Sequence, residues 1–141
     1  MNNKGLKIFI AMSRALNKVN RQSSQVFRKF DLTTGQFAVL EALYHKGDRT
    51  VGELQELILS TTGNMPVIIN NLKDRGLVES CKKIDDKRFT VISLTERGRE
   101  LISKVFPENK IIIEEYFSKL SDEEQKSLLK MLLKFKEDKD E

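Results

Sequence analysis

The region from Thr50 to Thr95 constrains the fold most, because within it two short helical patterns precede two strand patterns. Apolar residues recur at helical spacing from Val51 to Ile58, and Thr50 with Glu53 forms a capping box at the start of this helix. A turn at residues 59–61 leads to a second helix, which has one apolar face and one small, mostly polar face. Two helices joined by a tight turn are typical of a helix-turn-helix, whose polar face enters the major groove of DNA.

Two strand candidates, Val78–Lys83 and Phe89–Leu94, follow the second helix and are joined by the charged turn Asp85–Arg88. A hairpin with a cationic tip beside a helix-turn-helix makes a winged helix. A long basic side chain at such a tip can enter the narrow and negative minor groove. The sequence therefore predicts a mainly α-helical protein with a small β-hairpin wing, which is an α+β fold.

Helical patterns flank the winged helix on both sides. From Lys4 to Lys29 an apolar stripe follows the 3-4 spacing of a long helix, and Thr33 with Gln36 forms a capping box for the next one. A helix this long in a chain of 141 residues favours contact with a second protomer over its N-terminal part. The alternative is that the stripe covers only the chain's own core. Beyond the wing, helical apolar positions continue through Pro107, which should kink its helix, to a last helix that begins at Ser121.

Composition and cysteine content exclude several classes of function. The net charge of +4 permits nucleic-acid binding without establishing it. No apolar run reaches the ~18 residues of a membrane span and no signal peptide is visible, so we expect a cytoplasmic protein without membrane contact. With His45 as its one histidine and Cys81 as its one cysteine, the chain lacks a metal-ligand set. It also lacks a nucleophile-base pair and a phosphate loop, so we expect no metal, no cofactor and no enzymatic activity.

Three segments resemble the MarR family of winged-helix transcription regulators, namely NNLKDRGLV at 70–78, DDKRFTVISLTERGREL at 85–101 and VFPENKIIIEEYFSKLSDEEQKSLLKML at 105–132. The run STTGNMPVIINNL at 60–72 is similar to the branch that contains MhqR-type repressors of quinone and catechol stress. The resemblance implies one unit over residues 1–141, with a DNA-binding part at 33–100 and dimerisation helices at 1–32 and 101–141. It also implies a homodimeric regulator, expected to be a repressor, in which each protomer binds half of a pseudo-palindromic operator on double-stranded DNA.

Position predicts which side chains of the second helix, the recognition helix, contact DNA. Its N-terminal end lies nearest the bases, where Asn can bond adenine in a bidentate manner and Thr can meet phosphate or a thymine methyl. A solvated helix face is the alternative for each polar position. The residues on this face are Thr61, Thr62, Asn64, Val67 and Asn71, with Asn70 and Lys73 turned towards phosphate or solvent.

The wing residues are assigned from the resemblance and from charge. Asp86 and Arg88 match the family's Asp-x-Arg pattern, in which the carboxylate can brace the guanidinium while the tip reaches the groove. Lys87 or Arg88 is the expected minor-groove residue, and Lys82 and Lys83 are expected to touch phosphate. A charged hairpin that serves only solubility is the alternative.

Two positions depart from the family pattern. Pro66 stands where the family often has Thr. If Thr62 caps the recognition helix, Pro66 falls at the fourth helical position and removes one hydrogen bond. Pro66 also removes the hydroxyl contact to DNA that a Thr could make, so base contacts would depend more on Asn64. Asn109 stands in a segment where the branch often has His, which leaves any role of that His open.

The resemblance further implies release from DNA when a small aromatic, phenolic or quinone-like molecule binds, or when another stress signal acts. The pocket would lie between the dimerisation helices and the winged helix. Its expected lining is Met12, Leu16, Phe37, Leu40, Glu41 and Tyr44. From spacing alone these are core residues, so a plain core is the alternative.

Two other functions stay open. Cys81, on the first wing strand beside Lys82 and Lys83, is a redox-sensing thiol if those cations activate it, and a small filler if they do not. The chain could also be a winged-helix protein-interaction module that never binds DNA.

Overall fold

The computed structural model describes residues 2–58 and 64–137. The predicted mainly α-helical fold with a small hairpin is confirmed. Within the described ranges, no helix is long and apolar enough to cross a membrane. The elements are α1 (Lys4–Lys29), α2 (Thr34–Lys46), β1 (Arg49–Thr50), α3 (Val51–Ile58), α4 (Met65–Asp74), β2 (Val78–Lys82), β3 (Thr90–Leu94), α5 (Glu96–Phe117), α6 (Asp122–Leu132) and a short 3-10 turn (Leu133–Phe135).

The sheet has three antiparallel strands in the order β1-β3-β2. The β2–β3 hairpin pairs Val78 with Leu94 at its base and Lys82 with Thr90 towards its tip. Sequence patterns did not predict β1, because two residues are too few to show a strand period. Its pairing of Arg49 with Ile92 ties the start of α3 to the wing.

Side-chain caps set the helix boundaries, as the sequence predicted. Thr33 and Gln36 exchange both bonds of a capping box at 3.1 Å, and Ser121 with Glu124 does the same at α6. At α3 the backbone N–H of Thr50 donates to Glu53 at 3.0 Å, and the Glu53 N–H donates back to the Thr50 hydroxyl at 3.2 Å. These contacts satisfy backbone donors that have no partner within the helix.

The recognition helix α4 begins later than the sequence-based prediction assumed. Asn64 is its N-cap residue and Met65 its first helical residue, so Pro66 occupies the second position. Backbone N–H groups in the first turn have no partner within the helix, so Pro66 costs no helical hydrogen bond and the predicted loss is wrong. The predicted turn at residues 59–61 and the predicted cap Thr62 lie outside the described residues.

Helix α2 lies at the centre of the protomer and packs against α3, α4, α5 and β3. Its Val39 and Leu40 are fully enclosed. Burial of one such side chain stabilises the fold by about 1.5–3 kcal/mol, so these contacts hold the helix-turn-helix, the wing and α5 in one body. The other large side chains enclosed to the same degree are Leu54, Leu72, Ile92, Ile102 and Val105.

The apolar stripe of α1 divides between two environments. Its C-terminal residues Val19 and Val26 are buried in the protomer, whereas Phe9 is 67% exposed and Met12 and Leu16 are also exposed. A second exposed apolar surface covers α6 and the 3-10 turn, with Leu129, Met131, Leu132, Leu133 and Phe135. Contiguous apolar surfaces of this kind mark protein–protein contacts. The apolar side chains of the N-terminal half of α1 are therefore largely left uncovered by the described part of the protomer.

Candidate nucleic-acid interface

One face of the recognition helix α4 packs against the core, and the opposite face is exposed to solvent. Met65, Ile68, Ile69 and Leu72 are buried against the core. Because these residues recur every three or four positions, the intervening side chains form one exposed row. That row comprises Asn64, Pro66, Val67, Asn70, Asn71, Lys73 and Asp74. Five of the seven side chains expected on this helix are thus exposed together, and Thr61 and Thr62 lie outside the described residues.

The side chain of Asn64 is exposed and does not cap the helix that it begins. It is the N-cap residue with extended backbone geometry, but its side chain makes no capping hydrogen bond. N-cap Asn side chains usually accept from the second or third helical N–H group. The Asn64 amide is therefore not committed to capping, and it is exposed at the end of α4 that meets the bases in a helix-turn-helix.

Arg75, directly after α4, ties the recognition helix to the corner between α1 and α2. Its Nη1 donates to the Asp31 carbonyl oxygen at 2.6 Å, and its Nη2 donates to the Phe30 carbonyl oxygen at 3.3 Å. These carbonyls lie at the C-terminal end of α1, where the helix dipole favours a cation. Sequence reasoning missed Arg75, because its partners are more than 40 residues away in the chain.

The wing tip presents one guanidinium in a fixed orientation. Arg88 donates from Nε to one Asp86 carboxylate oxygen at 3.0 Å and from Nη2 to the other at 2.8 Å, and its backbone N–H also donates to Asp86. These hydrogen bonds lower the pKa of Asp86 and raise that of Arg88, so both groups stay charged. The Arg88 side chain is 84% exposed. The bidentate pair limits the rotamers of Arg88 while leaving it open to a partner.

The other basic residues flank this pair. Lys82 Nζ donates to the Thr90 hydroxyl at 3.3 Å across the hairpin, and Lys83 Nζ lies 6.0 Å from the centre of the Phe89 ring. Lys87 is exposed at the turn. The four cations expected on the wing are therefore all at the surface near the tip. A positive, exposed surface of this kind is the electrostatic footprint of phosphate contact.

Cys81 is exposed on β2, opposite Val91, and is a free thiol. Its side chain thus lies on the outer surface of the wing instead of serving as a buried filler. This placement leaves the thiol accessible to reagents and to solvent.

A cavity of about 840 Å³ lies between α1, α2, α3 and α5. Phe37 and Glu41 line it, as expected. Four expected residues do not. Met12 and Leu16 lie on the part of α1 that projects beyond the protomer core, and Leu40 is completely enclosed in the core. Tyr44 instead packs beneath the Arg99 guanidinium at 5.8 Å and beside the His45 ring.

Sequence reasoning missed most of the polar groups that line this cavity, among them Asn20, Ser23, His45 and Asn109. Asn20, Ser23 and Phe27 follow one another at helical spacing on α1, so extending the helical pattern to polar residues could have found two of them. The His45 ring packs 4.6 Å from the Phe106 ring, and its Nδ1 lies 3.1 Å from the Glu41 carbonyl oxygen.

Burial is energetically unfavourable for two polar groups of the cavity, the Glu41 carboxyl and the Asn109 amide oxygen. Burial raises the pKa of the Glu41 carboxyl, and the nearby His45 opposes that shift only in part. Asn109 is only 6% exposed, and its Oδ1 has no hydrogen-bond partner in the described part of the chain. An unpaired buried acceptor costs about 1–3 kcal/mol, so a rotation of the Asn109 side chain that gave Oδ1 a hydrogen-bond donor would be favoured.

The sequence of the chain is similar to those of known transcriptional regulators. Residues 21–105 match the family described as transcriptional regulator SarA/Rot. The HTH-type transcriptional regulator MhqR of Bacillus subtilis (strain 168) is 35% identical, over 94% of this chain and 91% of its own length. YkoM of the same strain, an uncharacterized HTH-type transcriptional regulator, is 28% identical over 93% of this chain and 85% of its own length.

Solved structures share the fold. A mutant MarR from E. coli, complexed with operator DNA, has a TM-score of 0.82 at 22% identity, over 94% of this chain and 95% of that one. A putative MarR-like transcription regulator from Bacillus cereus has a TM-score of 0.84 at 22% identity, over 95% of this chain and 96% of that one.

The matched family description spans more than half of the chain, and the relative at 35% identity covers nearly all of it. The resemblance to MarR-type regulators, and to MhqR among them, is thereby confirmed. Regulators of this family are dimeric. The chain belongs to the MarR family of winged-helix, DNA-binding transcriptional regulators.

Proposed function

We propose that the protein is a homodimeric repressor that binds a pseudo-palindromic operator, with α4 in the major groove and the wing in the adjacent minor groove. The observation that carries this proposal is the Asp86–Arg88 pair, which holds an exposed guanidinium at the tip of the wing beside the exposed row of α4. A narrow minor groove attracts such a cation. The half-sites then lie about 10–10.5 bp apart, or a multiple of that distance.

The exposed apolar surfaces of α1, α6 and the 3-10 turn support the dimer. Residues 1–32 and 101–141 form the dimerisation helices in this proposal, and residues 33–100 form the DNA-binding part. A regulator of this kind must reach the chromosome, so the proposal implies a cytoplasmic protein. It assigns no catalytic role to the chain.

The set of DNA contacts in this proposal has two parts. On the recognition side, Asn64 and Asn71 meet base edges and Val67 meets a thymine methyl, with Asn70 and Lys73 near phosphate. On the wing, Arg88 enters the minor groove, while Lys82, Lys83 and Lys87 stay near phosphate because they lack the bidentate brace. Thr61 and Thr62 complete the set by their position in the sequence alone.

Release from the operator is the second part of the proposal. A small phenolic or quinone-like molecule in the cavity would touch α1 and α5 on one side and α2 and α3 on the other. A ligand that binds one arrangement of these helices better shifts the population towards that arrangement. Asn109 borders this cavity, and rotation of its side chain would bring the partnerless Oδ1 to a ligand that donates a hydrogen bond.

The decisive experiment starts with selection of bound DNA from a genomic library, followed by gel-shift titration of the selected operator at near-physiological salt. We expect Arg88→Ala to weaken operator binding at least tenfold, because each dimer loses two minor-groove contacts. Lys104→Ala is the matched control, since it removes one exposed positive charge from α5, away from the wing. Gel filtration should show that both variants remain dimers.

A protein-interaction module that never binds DNA is the competing function. Binding that is weak, blind to sequence and lost at modest salt would favour it, and so would an Arg88→Ala variant that matches Lys104→Ala. The effector is tested by adding catechol or 2-methylhydroquinone to the operator complex. If neither compound releases the DNA at millimolar concentration, the phenolic class of effector is wrong.

A further inference from the structure

The exposed apolar side chains of the protomer fall on two kinds of surface. In the described residues, most large hydrophobic side chains that are exposed lie on α1, α5, α6 and the 3-10 turn, where a second protomer can cover them. The other three are Val67 on α4 and Ile84 and Phe89 on the wing. Val67 already belongs to the row that faces DNA, so the two wing residues are the ones without an assigned role.

Ile84 stands out among all of these. It is 100% exposed, in the segment between the end of β2 and the turn that holds Arg88. A hairpin that only needed to stay soluble would favour a polar residue at such a position. Along the chain Ile84 follows Lys83 and is followed by two carboxylates, Asp85 and Asp86, and then by the cations Lys87 and Arg88. Asp86 is paired with Arg88.

Phe89, the other exposed apolar residue of the wing, lies at the base of the tip and is partly covered by basic side chains. Lys83 Nζ lies 6.0 Å and Arg88 Cζ 5.9 Å from the centre of its ring, so two cations partly cover this aromatic face. The backbone N–H of Lys83 donates to the Phe89 carbonyl oxygen at 2.9 Å, which extends the hairpin pairing to this level. Ile84 is the first residue beyond that pairing, and it has no comparable cover.

The tip thus combines a fully exposed apolar side chain with a net positive charge, because the three cations Lys83, Lys87 and Arg88 outnumber the two carboxylates Asp85 and Asp86. This combination matches the minor groove of DNA, whose walls are deoxyribose C–H groups and whose edges are phosphates. Proteins that bind the minor groove often insert Phe, Leu, Ile, Met or Pro beside basic residues. A polar protein surface offers no equivalent apolar wall between two rows of negative charge.

We infer that Ile84 enters the minor groove beside Arg88 and packs against its sugar walls as an apolar contact. This inference rests on the proposed function, because it requires the wing to lie in the groove. Lys83, Lys87 and Arg88 supply attraction to phosphate and to the floor of the groove, and Ile84 adds contact area that salt does not screen.

The test separates apolar from electrostatic contact by the salt dependence of operator binding. Ile84→Ser is expected to raise Kd about tenfold per dimer at 150 mM salt, because two partly buried side chains are lost. It should leave the slope of log K against log salt unchanged, because no charge is removed. Lys87→Ala is the electrostatic comparison, and its slope should become shallower by about 1–2 for two phosphate contacts. Ile84→Leu should retain wild-type affinity within about threefold, because it keeps the apolar volume.

The variants distinguish the apolar contact of Ile84 from the entry of the wing into the minor groove. Ile84→Ser binding within twofold of wild type, or Ile84→Leu as weak as Ile84→Ser, overturns the apolar contact. If Arg88→Ala weakens binding while Ile84→Ser does not, the proposed function stands and this inference fails. If neither variant changes affinity, the wing does not enter the groove and that part of the proposed function fails as well. Thermal unfolding of Ile84→Ser should match wild type, since a fully exposed side chain holds no core contact.

Discussion

Replacing Asn109 with Leu is expected to stabilise the protein, which is the opposite of what most substitutions of buried residues do. Asn109 is 94% buried on α5, and its Oδ1 has no hydrogen-bond partner in the described part of the chain. Such an acceptor costs about 1–3 kcal/mol, and Leu has nearly the same shape without the polar atoms. Because Asn109 also borders the cavity, we expect the gain to lie in the lower part of this range, at about 1–2 kcal/mol in unfolding free energy. For a protein of this size that raises Tm by roughly 3–8 °C.

Urea unfolding followed by circular dichroism measures this gain, with all variants at one protomer concentration because dimer stability depends on concentration. Asn20→Leu is the matched control, since Asn20 lines the same cavity but is exposed on α1, and its effect should stay within about 0.5 kcal/mol. Destabilisation of Asn109→Leu by 1 kcal/mol or more would refute the reasoning, because it would show that the Oδ1 atom is satisfied in solution. The same variant should also release the operator less readily in the presence of a phenolic effector.

Two further predictions concern the frame around the site. Arg75→Met should lower the unfolding free energy by about 1–2 kcal/mol, because it removes the half-exposed charged hydrogen bonds to the carbonyls of Phe30 and Asp31. Arg75→Met should also weaken operator binding, because α4 is no longer tied to the α1–α2 corner. A variant with an unchanged urea midpoint and unchanged operator affinity would contradict this prediction. Glu41→Gln should make the protein more stable at neutral pH. Burial raises the Glu41 pKa, so its favourable neutral form is present at low pH and is lost as pH rises through that pKa. The gain in urea midpoint that Glu41→Gln gives over wild type should therefore be larger at about pH 7.5 than at about pH 4, below the ordinary pKa of Glu, and an equal gain at both pH values would count against this reasoning.

The accessible thiol of Cys81 allows a simple check on the redox alternative. Alkylation of the folded protein should modify this exposed side chain. If the modified protein still binds its operator with unchanged affinity, Cys81 does not control DNA binding. Loss of binding would instead connect the wing strand to a redox signal.

Local sequence determined where helices α2, α3, α5 and α6 begin. Capping boxes such as Thr33–Gln36 and Thr50–Glu53 act between residues three positions apart, so no tertiary contact is needed to specify them. The apolar period of α4 and the Asp86–Arg88 pair are local in the same sense. The order of the helices and of the two hairpin strands, the winged helix and the exposed row of the recognition helix therefore followed from the sequence by itself, as did the family, whereas β1 did not.

Tertiary structure decided the features that depend on distant residues. Only packing determines that Val19 is buried while Phe9, on the same stripe of α1, is exposed, because periodicity identifies a face without identifying what covers it. Arg75 finds its carbonyls across more than 40 residues, and the cavity takes Asn109 from α5 while leaving out Met12 and Leu16. The start of α4 at Met65 likewise turned Pro66 from an expected defect into an ordinary first-turn residue. These outcomes depend on how the helices cross, and a helical period records which residues share a face but not the angle at which two faces meet.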